Sequence, residues 1–294
     1  MIIKLLILSL LYKLYVYLVA KPVAKYQSKR VIVTGASSGI GVQLAKQYAQ
    51  MKCRVAIVAR RTELLENVKR EIVEATKIDA NDILIVSADL TDEKSCKAMV
   101  EKVVGKWGGV DLCVCNAGAG SLVEFEKLDG DFSIFHQNMD INFFSVVYTT
   151  GFVLPYLKQS NGSLVVVSSL AGKFGTALRS SYSASKHALH GFLNSLRNEL
   201  EGKVQITIVC PGFVQTEFHE KAKTTTGKPI ERESKHFMTP DKCAEAIILA
   251  ERLKSREVLL GLKAKVGYYL LPFVPGFIDY MSNKQAKASI KKDE

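Results

Sequence analysis

The sequence has six cysteines but no CxxC pair, and five histidines but neither HExxH nor a His/Cys cluster at metal-ligand spacing. No metal site is therefore expected. The cysteines fall at positions 53, 96, 113, 115, 210 and 243. Cys113 and Cys115 share one face of a short apolar run and cannot readily bridge each other, so all six read as buried, reduced thiols. Acidic residues are missing from positions 1–30, which carry six Lys and Arg. Residues 281–294 set four Lys against Asp293 and Glu294, so the two ends supply eight of the eleven net positive charges. The body between them lacks the basic stripe of a nucleic-acid surface, and no nucleic-acid partner is expected. Internal repeats and low-complexity linkers are also missing, which argues against solenoids and strings of modules.

Long hydrophobic runs are scarce, with one exception at the start. MIIKLLILSLLYKLYVYLVA offers 20 residues, enough helix to cross a hydrocarbon core of about 30 Å. Lys13 opposes insertion by roughly 3 kcal/mol, while the twelve Leu, Ile and Val residues favour it by roughly 4 to 7 kcal/mol. Residues 1–20 are expected to form a membrane anchor; a cleaved signal peptide is the alternative, weakened by the poor small-x-small site in VAKPVA.

From Arg30 onward the pattern alternates. Apolar, β-rich runs occur at 31–34, 54–59, 83–88, 111–115, 163–168 and 204–210. Between them lie stretches with helical periodicity, such as Leu44, Ala45, Tyr48 and Ala49. The runs are continuously apolar, as in strands covered on both faces. This predicts an α/β fold with a doubly wound parallel sheet in a single domain over about 30–260. Residues 261–294 form an apolar appendage followed by a basic tail.

The first strand leads into TGASSGIG, with Gly35, Gly39 and Gly41. Glycines there permit positive φ and let backbone N–H groups approach a phosphate at a helix N-terminus. The spacing is GxxxGxG rather than GxGxxG. The second strand ends in VAIVARR, and no acid follows before Glu63. An acid near this point would serve the ribose 2′-hydroxyl of NAD. Arg60 and Arg61 instead suit a 2′-phosphate by charge and bidentate geometry, which points to NADP(H).

In SSYSASKHALHGF, Tyr182 and Lys186 lie four residues apart and leave the same helix face. A nearby cation favours a phenolate, which suits a tyrosine to proton exchange.

Taken together, these features resemble the short-chain dehydrogenase/reductase family over roughly residues 30–260. The resemblance implies a Rossmann-type fold and a nicotinamide cofactor. TGASSGIG, with Gly35, Ser37, Ser38, Gly39, Ile40 and Gly41, matches the family's cofactor turn. Asp89 and Leu90 in SADL lie where the family contacts adenine. Asn116, Ala117 and Gly118 match its NNAG motif, with Cys115 in place of the first asparagine. Asn142 in MDINFF takes the active-site asparagine position, and Ser169, thirteen residues before Tyr182, the serine position. PGFVQT, with Pro211, Gly212, Val214 and Thr216, resembles the segment that closes over the nicotinamide.

By this resemblance Tyr182 is the acid–base group, Ser169 steadies the substrate oxygen, Lys186 binds the nicotinamide ribose and lowers the tyrosine pKa, and Asn142 holds a relay water. Ser168 is expected only to close its strand; His187 and His190 receive packing or surface roles, and Phe213, Phe218 and EKAKTTTGKP border the substrate.

The anchor, SSLAGK, the Tyr182 helix and the C-terminal YYLLPFVPGFIDYMSNKQAK look like the membrane-associated branch, which includes 11β-hydroxysteroid dehydrogenase type enzymes and the dehydrogenase/reductase member 7B group. That branch implies a lipophilic substrate: a steroid, a retinoid or a lipid-synthesis ketone. A 3-ketosphinganine-type reductase and a non-catalytic NADPH-binding membrane scaffold are the alternatives, and a homodimer is compatible with the branch. Lys21, Lys25, Lys29 and Arg30 after the span, with KKDE at the end resembling a dilysine retrieval signal, place the domain on the cytosolic face of the endoplasmic reticulum. A luminal domain is the alternative, because Asn161-Gly162-Ser163 is a glycosylation sequon; the tripeptide reads here as a turn into the fifth strand.

Overall fold

The computed structural model describes residues 26–218, 222–224 and 237–290, with no account of the side chains of Lys263 and 285–290. The expected anchor at 1–20, most of EKAKTTTGKP and KKDE fall outside these residues. No helix among the described residues is long and apolar enough to cross a membrane.

The apolar runs become strands because each of their residues finds cover. β1 (Arg30–Thr34), β2 (Arg54–Ala59), β3 (Ile83–Ser87), β4 (Leu112–Cys115), β6 (Ser163–Val167), β7 (Gln205–Cys210) and β9 (Glu257–Leu259) form one parallel sheet in the order β3-β2-β1-β4-β6-β7-β9. A small second sheet pairs β5 (Ser121–Leu122) with β8 (Lys223–Thr224). Six of the seven main strands coincide with the sequence expectation. The seventh, β9, was missed because three residues are too few to show a period.

The helices are α1 (Gly39–Gln50), α2 (Thr62–Thr76), α3 (Glu93–Trp107), α4 (Ser133–Met139), α5 (Ser145–Gln159), α6 (Ser180–Glu199), α7 (Pro240–Arg252), α8 (Leu262–Leu270) and α9 (Pro275–Ile290). Alternation along the pleat sends Val31 and Val33 to one side of the sheet and Ile32 to the other. The first side packs on Leu44, Tyr48, Leu65 and Ile247 from α1, α2 and α7. The second packs on Met99, Val153, Leu157, Leu189 and Leu193 from α3, α5 and α6. All six cysteines are buried and unpaired, as expected.

The body reaches back further than the strand pattern suggested. Tyr26 is buried against Tyr48, and its hydroxyl donates to Glu251 on α7. Ser163 Oγ donates to the other oxygen of that carboxylate at 2.8 Å, so the carboxylate links Tyr26 to the sheet. Asn161 has φ +48, the left-handed conformation that asparagine tolerates, and Gly162 donates its N–H to Leu157 at the end of α5. The sequon is therefore the turn into β6.

The strand order reverses between β1 and β4, whose connections lead to opposite faces of the sheet. A crevice opens at such a point, beyond the carboxyl ends of the strands. Gly35, Asn116, Ser169 and Pro211 all follow strand ends on that edge.

Candidate active site

The cofactor end is built by backbone geometry. Gly35 and Gly39 have φ of +66 and +56, conformations costly for other residues. A Cβ on Gly41 would lie 2.2 Å from the carbonyl oxygen of Gly35, so only glycine lets α1 start this close to the turn. Ser38, at the helix cap, makes no side-chain capping bond and no acid occupies the first turn, which leaves the N–H groups and positive helix end suited to a phosphate. These features fit the pyrophosphate of a dinucleotide.

Thr34, the first residue of TGASSGIG, stitches this turn to its neighbour. Its Oγ1 accepts from the N–H groups of Asn116 at 2.9 Å and Ala117 at 3.1 Å. Asn116 Nδ2 in turn donates to the Thr34 carbonyl at 3.0 Å. The replacement of the first asparagine by Cys115 leaves this stitching intact, because Cys115 points into the core.

Arg60 and Arg61 are exposed at the end of β2. Asp89 lies near Arg60; two hydrogen bonds from Thr91, above all its N–H, together with that positive charge hold the Asp89 carboxyl below its usual range. Leu90 beside it is buried.

After β7, the Pro211 carbonyl accepts from the Leu170 N–H at 3.0 Å, and Val214 bridges to Met238. A Cβ on Gly39 would come 2.9 Å from Thr216 Cγ2, so the PGFVQT segment reaches across to the glycine turn. Ser37 and Ile40 lie half-buried within that turn.

The chemical end gathers on α6. Tyr182 and Lys186 are 4% and 3% exposed. Tyr182 is hydrogen-bonded to Ser169, which follows β6 and caps the short 3-10 turn Leu170–Gly172. Asn142 sits in a π-helical turn, Asp140–Phe144, between α4 and α5. Such a turn re-aims one side chain within a continuous helix. Asn142 Oδ1 accepts from the Ala119 N–H at 2.9 Å, while Nδ2 donates to the Ala119 carbonyl at 2.9 Å and to Ser185 Oγ at 3.1 Å. Gly118 completes the cluster: a Cβ there would stand 2.8 Å from Asn142 Oδ1 and 3.5 Å from Lys186 Nζ. Ser185 and Ala119, which hold Asn142, were not legible in the motif.

Electrostatics add a second cation to the expected pair. Burial pushes the Tyr182 hydroxyl pKa up, opposed by its Ser169 hydrogen bond and the charge of Arg179. Burial without a carboxylate partner among the described residues pulls the Lys186 pKa down to about 8, so the ammonium keeps its charge at neutral pH, with its Nζ donating to the Val167 carbonyl and lying 5.9 Å from the centre of the Tyr182 ring. Arg179, whose guanidinium carbon lies 5.6 Å from the same ring centre, is a second cation that favours the phenolate.

Ser168 and His190 also do more than fill space. Ser168 Oγ lies 3.0 Å from His190 Nε2, and Glu257 lies 3.1 Å from Nδ1 and 2.7 Å from Lys173. This buried chain ties β6, α6 and β9 to the turn behind Ser169. His187, by contrast, bonds only its own helix, at Ser183. Phe218 lies 6.0 Å from the Tyr182 ring, on the expected substrate border, and Phe213 stacks on Phe237 at 5.0 Å.

A family model described as short chain dehydrogenase matches residues 29–227. A protein of Dictyostelium discoideum named dehydrogenase/reductase SDR family protein 7-like is 54% identical over 273 residues, covering 92% of this chain and 86% of the relative. An 11-beta-hydroxysteroid dehydrogenase of Pinus massoniana is 33% identical, with 86% of this chain and 73% of the relative covered. Human dehydrogenase/reductase SDR family member 7 is 32% identical, covering 89% and 78%. An alcohol dehydrogenase from Thermococcus sibiricus, solved with 5-hydroxy-NADP, superposes with a TM-score of 0.70 at 26% identity, covering 80% of this chain and 96% of that one. The fold, the glycine turn and these likenesses converge: this chain belongs to the short-chain dehydrogenase/reductase family of nicotinamide-dependent oxidoreductases.

Proposed function

We propose that the protein is an NADPH-dependent oxidoreductase that interconverts a ketone and a secondary alcohol on a lipophilic substrate, with Tyr182 as the acid–base group. The observation that carries this reading is the buried cluster in which Ser169 hydrogen-bonds Tyr182 while Asn142 and Lys186 converge on Gly118. In the reductive direction Tyr182 gives its proton to the carbonyl oxygen as negative charge develops there. Ser169 donates a second hydrogen bond to that oxygen, which lowers the barrier by stabilising the charge. The nicotinamide supplies or accepts the hydride when the cofactor is bound. Lys186 is placed to hold the ribose and, with Asn142, to return a proton to Tyr182. The exposed guanidinium groups of Arg60 and Arg61 suit a 2′-phosphate and underlie the preference for NADPH.

The named relatives favour a steroid-like or other lipophilic ketone. An apolar surface beside the site supports the same reading. On α8, α9 and the turn between them, Tyr269, Phe273, Phe277 and Tyr280 are exposed, and Tyr268 on α8 packs edge-on against Phe174, five residues after Ser169. This surface and the basic segments at both ends suit a membrane interface through which a lipophilic substrate arrives. The direction of the charge bias favours a cytosolic domain on the endoplasmic reticulum. The test is turnover of NADPH by the purified full chain against a panel of steroid, retinoid and lipid ketones. Oxidation of NADPH with at least one of them is expected, and binding of NADPH without any turnover would leave the scaffold reading instead.

A further inference from the structure

Arg179, at the N-terminal end of α6, is only 7% exposed. Its guanidinium carbon lies 5.6 Å from the centre of the Tyr182 ring. Nη2 is shut off from solvent without a hydrogen-bond partner, and no carboxylate among the described residues pairs with the group. One turn further along the same helix face, Ser183 Oγ is orphaned in the same way. The nearby polar side chains are committed elsewhere: Ser121, Ser181 and Asn138 hydrogen-bond one another.

A buried guanidinium without a counter-charge is costly, and native proteins keep such a group where something completes it. Tyr182 does not, because burial favours its neutral phenol. The cofactor motifs lie elsewhere: Gly118 and Lys186 are on the C-terminal side of Tyr182 along the helix, whereas Arg179 is one turn the other way, beside β5. There Leu178, at φ +65, accepts a hydrogen bond from the Val123 N–H at 2.8 Å and fixes where Arg179 begins.

We propose that Arg179 binds a carboxylate of the substrate, close to the reacting carbonyl, and so selects a lipophilic oxo acid over a neutral ketone. The planar guanidinium edge matches a carboxylate in shape and in charge, whereas a neutral carbonyl would satisfy the N–H and leave the charge unbalanced. Arg179 and Tyr182 lie on adjacent turns, so acid and ketone are separated by a few carbons. The proposal rests on Tyr182 being the acid in ketone reduction.

The test compares 4-oxodecanoate with its methyl ester, and with 9-oxodecanoate, on the full chain in non-ionic detergent with NADPH. Wild type is expected to favour 4-oxodecanoate over both, and Arg179→Gln to cut the acid-to-ester ratio of kcat/KM by about tenfold or more. Arg179→Lys should restore part of the ratio. An unchanged ratio in Arg179→Gln, or no wild-type preference for the acid, would overturn the proposal. If no ketone is turned over, the reductase reading fails separately and binding decides this one. With NADP+ present, 4-oxodecanoate should raise the melting temperature of wild type but not of Arg179→Gln, and equal shifts, or none in wild type, would count against it.

Discussion

Lys186 Nζ donates at 3.2 Å to the backbone carbonyl of Val167, the last residue of β6 and two residues before Ser169. The bond fixes the ammonium beside Tyr182, but no carboxylate among the described residues pairs with it. The helix that presents Tyr182 therefore holds a cation at a cost to the fold, and the cost has a measurable pH signature.

In the folded protein the Lys186 pKa falls from 10.5 to about 8. A depressed lysine pKa means that the unfolded chain holds the proton more tightly. The penalty is present in full below about 8, and stability rises with pH between about 8 and 10.5 as the unfolded state alone stays protonated. Lys186→Met removes a penalty of roughly 3 kcal/mol at neutral pH. Its melting temperature should exceed that of wild type at pH 7, and the gap should narrow as pH rises through that window, while turnover is lost. Thermal melts across pH read the effect; a variant less stable than wild type at pH 7 would show that the buried charge is compensated.

Tyr182→Phe should lower kcat by about a hundredfold or more, the scale of general acid–base catalysis. The ring contacts with Phe218 and Arg179 remain, so NADPH affinity measured by fluorescence titration should change little. A variant that keeps more than a tenth of wild-type kcat would remove Tyr182 from the chemistry.

Arg60 and Arg61 should set the choice of cofactor. Charge-assisted hydrogen bonds of about 1.5–3 kcal/mol correspond to roughly ten- to a hundredfold in kcat/KM for NADPH over NADH. The double variant Arg60→Ala/Arg61→Ala should erase that ratio by weakening NADPH alone. Equal use of both cofactors by wild type would end the argument.

Gly118→Ala should be costly for turnover and mild for folding. Its Cβ would enter at 2.8 Å from Asn142 Oδ1, displacing the side chain that the π-helical turn holds in place. Overpacking of this kind costs about 1–3 kcal/mol in stability. The measurement is kcat together with the melting temperature; a variant with wild-type kcat would show that Asn142 has no part in the reaction.

Phe273→Asp/Phe277→Asp should weaken co-sedimentation with anionic vesicles. Both rings are exposed, so the fold is unaffected. The experiment belongs in a chain lacking only residues 1–20, because Tyr26 packs on Tyr48 and donates to Glu251 and must be kept. Unchanged vesicle binding, with loss of a dimer in sedimentation, would assign the surface to a second copy.

The sequence by itself determined six of the seven main strands and the motifs that the fold brings to one edge of the sheet. Runs such as VIVT and LCVC are buried on both faces, so their composition alone announces a parallel core strand. Glycine is forced at Gly35 and Gly41 by backbone geometry, and Tyr182 and Lys186 share a face because four residues make one helical turn. These are local constraints, written in adjacent residues. The tertiary structure decided what depends on distant ones. β9 exists because Val209 and Cys210 offer it an edge, not because three residues prefer a strand. Thr34 becomes a clasp only when Asn116, eighty-two positions away, presents its N–H. The charge balance around Tyr182 was also decided by packing, because burial is a property of the packed molecule. It pulls the Lys186 pKa down to about 8 and brings Arg179, a residue in no motif, beside the phenol as a second cation.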